Sequence, residues 1–176
     1  PTTLEIIVLF FIFAAEILGE INEFYLLFPF WDTVLHTLNG FLAAAIGFSL
    51  VDLLNRSERT VFNLAPVFTA IVAFCFSMTI GVVWEFFEFG MDQFLGYDMQ
   101  KDTVLSAITS VMLNPDGRNI PVTIDQIREV MINGQPLGVG GYLDIGLIDT
   151  MEDLFVNFIG AAVFSVIGFF YVRSRG

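Results

Sequence analysis

Apolar residues run almost unbroken through four stretches of the chain, each close to the roughly twenty residues that cross bilayer hydrocarbon as a helix. The first covers Leu4 to Leu18 and reaches Ile21 if its polar end is included. It has neither the basic start nor the small-residue cleavage site of a signal peptide, so it reads as a span. The others cover Trp31 to Leu54, Leu64 to Met91 and Ile148 to Val172, long enough to cross with some tilt. From Gln93 to Leu147 the pattern breaks into short runs. There Asn114-Pro115-Asp116-Gly117 marks a turn and Asn119 to Ile124 reads as extended. Thr123 with Gln126 fits a capping box that opens a short helix, which Asn133-Gly134 stops after Ile132. Gly138, Gly140 and Gly141 suggest a flexible return to the last span. The expected architecture is an all-α membrane protein, a bundle of about four transmembrane helices. Residues 1–92 carry the first three, 93–147 a small extracytoplasmic cap, and 148–176 the fourth helix with a basic C-terminus.

Composition agrees with that class. The chain is 56% hydrophobic, with a mean hydropathy of +0.76 and 21 Phe in 176 residues, which places it among polytopic membrane proteins of the cell membrane. Sidedness follows from the basic residues. Arg56 and Arg59 sit in the link after the second span and Arg173 and Arg175 follow the fourth, so four of seven basic residues mark one side as cytoplasmic. Lys101, Arg118 and Arg128 are diluted among six acids in the long segment. Both termini are then cytoplasmic and 93–147 is extracytoplasmic. A balance of 7 basic to 19 acidic residues argues against nucleic acid or an anionic lipid surface as a partner and favours cations. An acidic surface suited to high salt would give the same balance. The single cysteine, Cys75, provides no disulfide framework and no CxxC metal site.

The informative residues are the polar ones within or at the ends of the spans, because positions three, four and seven apart share a helix face. Glu85, Glu88 and Asp92 form such a set, as do Asp149, Asp153 and Asn157, then Asp32, His36 and Asn39, then Glu16, Glu20 and Glu23. On the orientation above, all four sets fall in the outer half of the membrane. Glu85 lies roughly 10 Å inward of Asp92 along the axis. An isolated ionised side chain at such depth costs on the order of 3 kcal/mol, and several carboxylates repel one another. No Lys or Arg lies within the spans to offset them. Protonation, a bound cation and a hydrated cavity are the three remaining answers.

Carboxylates with one imidazole from facing helices are a ligand set that divalent first-row metals accept, and calcium fits if backbone oxygens join. The candidate ligands of a divalent metal cation are His36, Glu85, Glu88, Asp149 and Asp153. Asp32, Asp92, Glu16, Glu20 and Asn157 are candidates for the shell around them, with Asp32 one turn from His36 and placed to orient it. A structural alternative stays open, in which protonated carboxyls and Asn hydrogen bonds lock the helices together. Asp32, Asp92 and Glu23, nearer the edge, are expected to be solvated, and Glu5 to be an ordinary flanking residue. Gly40, Ala43, Ala44, Gly47, Gly81, Gly160, Ala161 and Ala162 suggest close helix packing. Phe10-Phe11, Phe86-Phe87 and Phe169-Phe170 read as lipid-facing or core bulk, and Trp31, Tyr25 and Tyr97 as an interfacial belt. Cys75 and Ser77 lie in an apolar run without a neighbouring histidine, a poor setting for nucleophilic catalysis, and there is no Gly-rich phosphate loop.

Three motifs carry a resemblance. Asp32-x-x-x-His36 with Asn39-Gly40, Trp84-Glu85-x-x-Glu88 with Asp92, and Asp149-Thr150-x-x-Asp153 with Asn157 and Gly160-Ala161 resemble the YjdF-like group of small uncharacterised membrane proteins. More distantly they resemble the VanZ-like superfamily. The resemblance covers the second to fourth spans, supports the same residues and implies no reaction. Three functions stand open: a divalent-metal site serving lipid or envelope chemistry or metal handling, an accessory subunit of a larger membrane complex or a homo-oligomer, and cation- or proton-coupled transport.

Overall fold

A computed structural model describes residues 2–55 and 64–174. Arg56, Arg59 and Arg175, which carry most of the expected sidedness, lie outside these residues. Three helices are long and apolar enough to cross a membrane: α3 (Trp31–Asn55), α4 (Pro66–Leu95) and α5 (Leu147–Arg173). Proline opens α4, where its fixed φ suits a first helical turn and its missing N–H is not needed. At the start of α5 the Asp144 carboxylate accepts from the Ile148 N–H at 2.8 Å. Asp149 in its first turn and Arg173 in its last complement the helix dipole.

The expected first span is a composite. A short helix α1 (Thr3–Ile12) begins with a capping box in which Thr2 accepts from the Glu5 N–H and Glu5 accepts in return. Glu5 is therefore a cap, more than the ordinary flanking residue expected. From Phe13 to Ile21 the helix loosens into a π-helix, and its end is tied by the Asn22 N–H to the Ile17 carbonyl. Glu23, in left-handed conformation at φ 58°, turns the chain into the single-turn helix α2 (Phe24–Leu27). The Trp31 indole donates to the Ala14 carbonyl at 3.3 Å, and the Tyr25 ring lies where a Cβ on Gly19 would stand. Trp31 and Tyr25 thus bind the π segment to α2 and the start of α3, a use beyond that of an interfacial belt.

Helices α4 and α5 are inside out in character, whereas α3 also buries Leu35, Phe48 and Val51. Buried on α4 are Thr69, Ala73, Ser77, Gly81, Glu85 and Glu88, a stripe with steps of four and three. On α5 the buried set is Asp153, Asn157, Gly160, Ala161, Ser165 and Gly168. The large side chains face out, as Phe86 and Phe170 do. Lipid tails are as apolar as leucine, so burying leucine gains nothing, and close backbone approach decides the packing. A Cβ on Gly40 would collide with the Asn157 carbonyl oxygen, and one on Gly160 with the Thr37 carbonyl oxygen. The approach of α3 to α5 therefore needs both glycines. Ser77 then donates to the Gly40 carbonyl at 2.7 Å, tying α4 to α3.

The chain divides into two compact units, residues 89–150 and the rest. The 89–150 unit contains three two-stranded antiparallel pairs. The outermost joins β1 (Thr103–Leu105) to β6 (Tyr142–Asp144), with Thr103 opposite Asp144. Within that loop β2 (Ile108–Ser110) pairs with β3 (Val122–Ile124), and β4 (Met131–Ile132) with β5 (Gln135–Pro136). The Asn114–Gly117 turn forms as expected: the Gly117 N–H donates to the Asn114 carbonyl at 3.2 Å, and the Asn114 side chain accepts from the Asp116 N–H at 3.0 Å. The helix expected to follow Thr123 does not form. Gln126, its supposed capping partner, has φ 53°, which a helix cannot accommodate, and the Ile127 N–H donates to the Ser106 carbonyl instead. Asn133-Gly134, expected to stop that helix, is the tip of the β4–β5 hairpin, with both residues at positive φ. Inside this unit Asp92 accepts from the Met99 and Gln100 N–H groups at 2.7 and 2.9 Å.

Candidate functional site

Helix α3 supplies the imidazole. His36 is buried, and carboxylates flank both of its ring nitrogens. Its Nε2 lies 3.5 Å from Asp153 Oδ2 on α5 and 3.6 Å from Asp32 Oδ1 one turn earlier on α3. Its Nδ1 lies 3.9 Å from Glu85 Oε1 on α4. Glu88, one turn beyond Glu85, completes the group. One ligand atom each from His36, Glu85, Glu88 and Asp153 lies within 4.8 Å of all the others, and all four residues are buried. Three helices thus converge on one small volume, each through a face that its small residues allow to approach.

Supports surround this volume. The Trp84 indole donates to Glu88 Oε1 at 2.9 Å along the same helix. Asn157, almost wholly buried, sits a turn beyond Asp153; its Oδ1 accepts from Asn39 at 3.5 Å, and its amide group meets Met78 Sδ at 3.6 Å. Gly81 leaves room for that amide, since a Cβ there would stand 2.8 Å from Asn157 Nδ2. Tyr25, in α2 and outside the spanning helices, is half-buried. Burial first, then the carboxylates of Asp32, Glu20, Glu16 and Glu88, hold its phenol above the ordinary range and keep it a neutral proton donor.

Of the residues proposed as ligands from the sequence, His36, Glu85, Glu88 and Asp153 come together. Asp149 lies in the 89–150 unit, where it accepts from the Lys101 N–H at 2.8 Å, while the neighbouring Thr150 hydroxyl accepts from Gln100 at 2.5 Å. Among the residues assigned to the surrounding shell, Asp32 lies 3.6 Å from the His36 ring and Asn157 is buried one turn beyond Asp153. Asp32 is half-buried against His36 and so is more than a solvated edge residue. Glu16 and Glu20 are both exposed on the π segment and both act on the Tyr25 phenol, and Asp92 holds backbone within the 89–150 unit. The sequence pattern alone assigns no site role to Trp84 or Tyr25. The i to i+4 step from Trp84 to Glu88 is a usable signal; nothing local marks Tyr25, whose neighbours are set by the chain reversal at Glu23.

The chemistry of the group follows from charge. Three carboxylates lie beside one imidazole, and residues 1–55, 60–100 and 141–172 contain no Lys or Arg. A model of the family described as "Predicted membrane protein (DUF2238)" matches residues 1–174. The chain belongs to this family. The match runs through the 89–150 unit as well as the helices. No curated protein and no solved structure matches the chain.

Proposed function

We propose that this membrane protein binds one divalent metal cation through His36, Glu85, Glu88 and Asp153. The observation that carries the reading is the convergence of four buried ligand atoms within 4.8 Å of one another from three apolar helices. Tetrahedral bonds of about 2.0–2.2 Å place ligands roughly 3.3–3.6 Å apart, so rotations about the carboxylate side chains suffice to close the group around an ion. One imidazole nitrogen ligates, and the other donates its proton to the carboxylate on its own side, which orients the ring. A divalent charge offsets two of the three carboxylates, and the Trp84 indole stabilises the Glu88 oxygen. By the distribution of basic residues the site belongs to the outer half of the bilayer, where such an ion serves metal handling or polarises a lipid headgroup.

The contacts on both imidazole nitrogens favour a second reading, in which a protonated His36 takes the cation's place and the cluster passes protons. Stripping the purified protein of metal and adding back zinc, manganese or calcium decides between them. A ligand that binds only the folded state at about 100 times its Kd stabilises by about 2.7 kcal/mol. The metal reading predicts that one of these ions raises the melting temperature of wild type but not of Glu88→Gln, while the exposed neighbour variant Glu152→Gln responds as wild type. An unchanged melting temperature with every ion would leave the proton reading standing.

A further inference from the structure

Far from the carboxylate cluster, α4 and α5 enclose a groove of about 440 Å3. Ala70 and Ala162 leave the space, and the larger Ile71, Phe74 and Phe169 border it. Two features set this groove apart from an ordinary lipid-facing surface. Ser165 lines it, is buried, and among the described residues its hydroxyl oxygen has no hydrogen-bond partner. Such a hydroxyl in hydrocarbon is costly until something accepts from it. At the end of α5 the Arg173 guanidinium lies over the Phe169 ring, 6.0 Å from its centroid. The guanidinium is thus level with Phe169, and Ser165 is one helical turn, about 6 Å, deeper. Cation, hydroxyl and apolar channel follow one another along the groove. A glycerophospholipid carries phosphate, ester carbonyls and hydrocarbon in that same order.

We infer that the α4–α5 groove is a binding site for a single anionic phospholipid, with its phosphate on Arg173, an ester carbonyl accepting from Ser165 after rotation about χ1, and an acyl chain between Phe74 and Phe169. Charge complementarity selects the occupant. In a chain of net charge −12, Arg173 presents a cation at the mouth of an apolar groove.

The test is native mass spectrometry of the purified, delipidated protein titrated with phosphatidylglycerol or phosphatidylcholine. One bound phosphatidylglycerol per chain is expected, held more tightly than phosphatidylcholine. Arg173→Gln, a change at an exposed helix end, should weaken phosphatidylglycerol about fivefold, the worth of one basic residue near a membrane surface. Arg173→Lys should keep the preference, and Ala162→Leu should remove bound lipid of both kinds by filling the groove. Equal binding of the two lipids, or undiminished phosphatidylglycerol binding in Ala162→Leu, would overturn the proposal. So would a lipid-free dimer that Ala162→Leu dissociates, which would give the groove to a second copy.

Discussion

The helical unit and the 89–150 unit are held together by opposite means. On α4 and α5 the buried positions are small or polar and the large apolar side chains face out, while α3 also buries Leu35, Phe48 and Val51, so cohesion comes from close backbone approach through Gly40 and Gly160, from a few buried polar groups and from these apolar residues. In the 89–150 unit no strand among the described residues exceeds three residues. Order there comes from turn chemistry at Asn114 and Asn133-Gly134 and from carboxylates that clamp backbone, as Asp92 and Asp149 do. The same residue type therefore plays two parts. A carboxylate on backbone N–H groups is satisfied where it stands, whereas Glu85, Glu88 and Asp153 face one another and an imidazole. The difference in partner sets the buried His36 cluster apart from the acids that hold backbone.

Substitutions in the two units should have graded effects. Gly160→Leu should be the most damaging, because its side chain meets the Thr37 carbonyl of the facing helix. Overpacking of this kind costs about 3 kcal/mol or more, and the expected result is loss of monodisperse protein on size-exclusion chromatography. Recovery of folded protein at the wild-type melting temperature would show that close approach does not hold the helices. Asp92→Ala should follow. It removes two hydrogen bonds to a charged acceptor, each worth about 1.5–3 kcal/mol, so hydrogen exchange should accelerate at residues 99–101 while the middle of α3 stays protected. Uniform acceleration throughout the chain would mean that the two units do not open separately. Gly134→Val should cost about 1–2 kcal/mol, since valine resists the φ of 80° there, and it should loosen only the β4–β5 hairpin.

The smallest effect concerns pH. Partial burial, then the carboxylates of Asp98, Asp144 and Asp92, raise the Asp102 carboxyl above its ordinary range, with Lys101 opposing. A carboxyl whose folded value is raised stabilises below its unfolded value, and that contribution is lost as pH rises through the folded one. The 89–150 unit should therefore open slightly more easily as pH rises through that interval. Asp102→Asn should flatten the trend in hydrogen exchange, whereas an unaltered trend would place its origin elsewhere.

The helical unit is legible in the sequence and the 89–150 unit only in pieces, for a physical reason. Spans are announced by length and apolarity, and the expected Trp31–Leu54, Leu64–Met91 and Ile148–Val172 lie within a few residues of α3, α4 and α5. Spacing of three and four also puts Glu85 with Glu88, and Asp32 with His36, on shared faces. Spacing likewise puts Asp149 and Asp153 on one face of α5, but it does not reveal that the Asp149 carboxylate also accepts from the Lys101 backbone. Pairing of β1 with β6 spans nearly forty residues, and no local pattern encodes it. Gln126 satisfies the helix-start rule in type but not in conformation, because its positive φ is imposed by the turn that brings Ile127 to Ser106. The π-helix at Phe13–Ile21 is likewise invisible in the local pattern, as it depends on Trp31 and Tyr25 closing back upon it.

Whether His36 and its facing carboxylates form one ligand group is decided by X-ray absorption spectroscopy of the metal-loaded protein. The expected spectrum shows a first shell of oxygen donors with one imidazole nitrogen and no sulfur, and His36→Ala loses the imidazole scattering. A shell without imidazole in wild type, or one containing the sulfur of Cys75, which is exposed, would contradict the assignment.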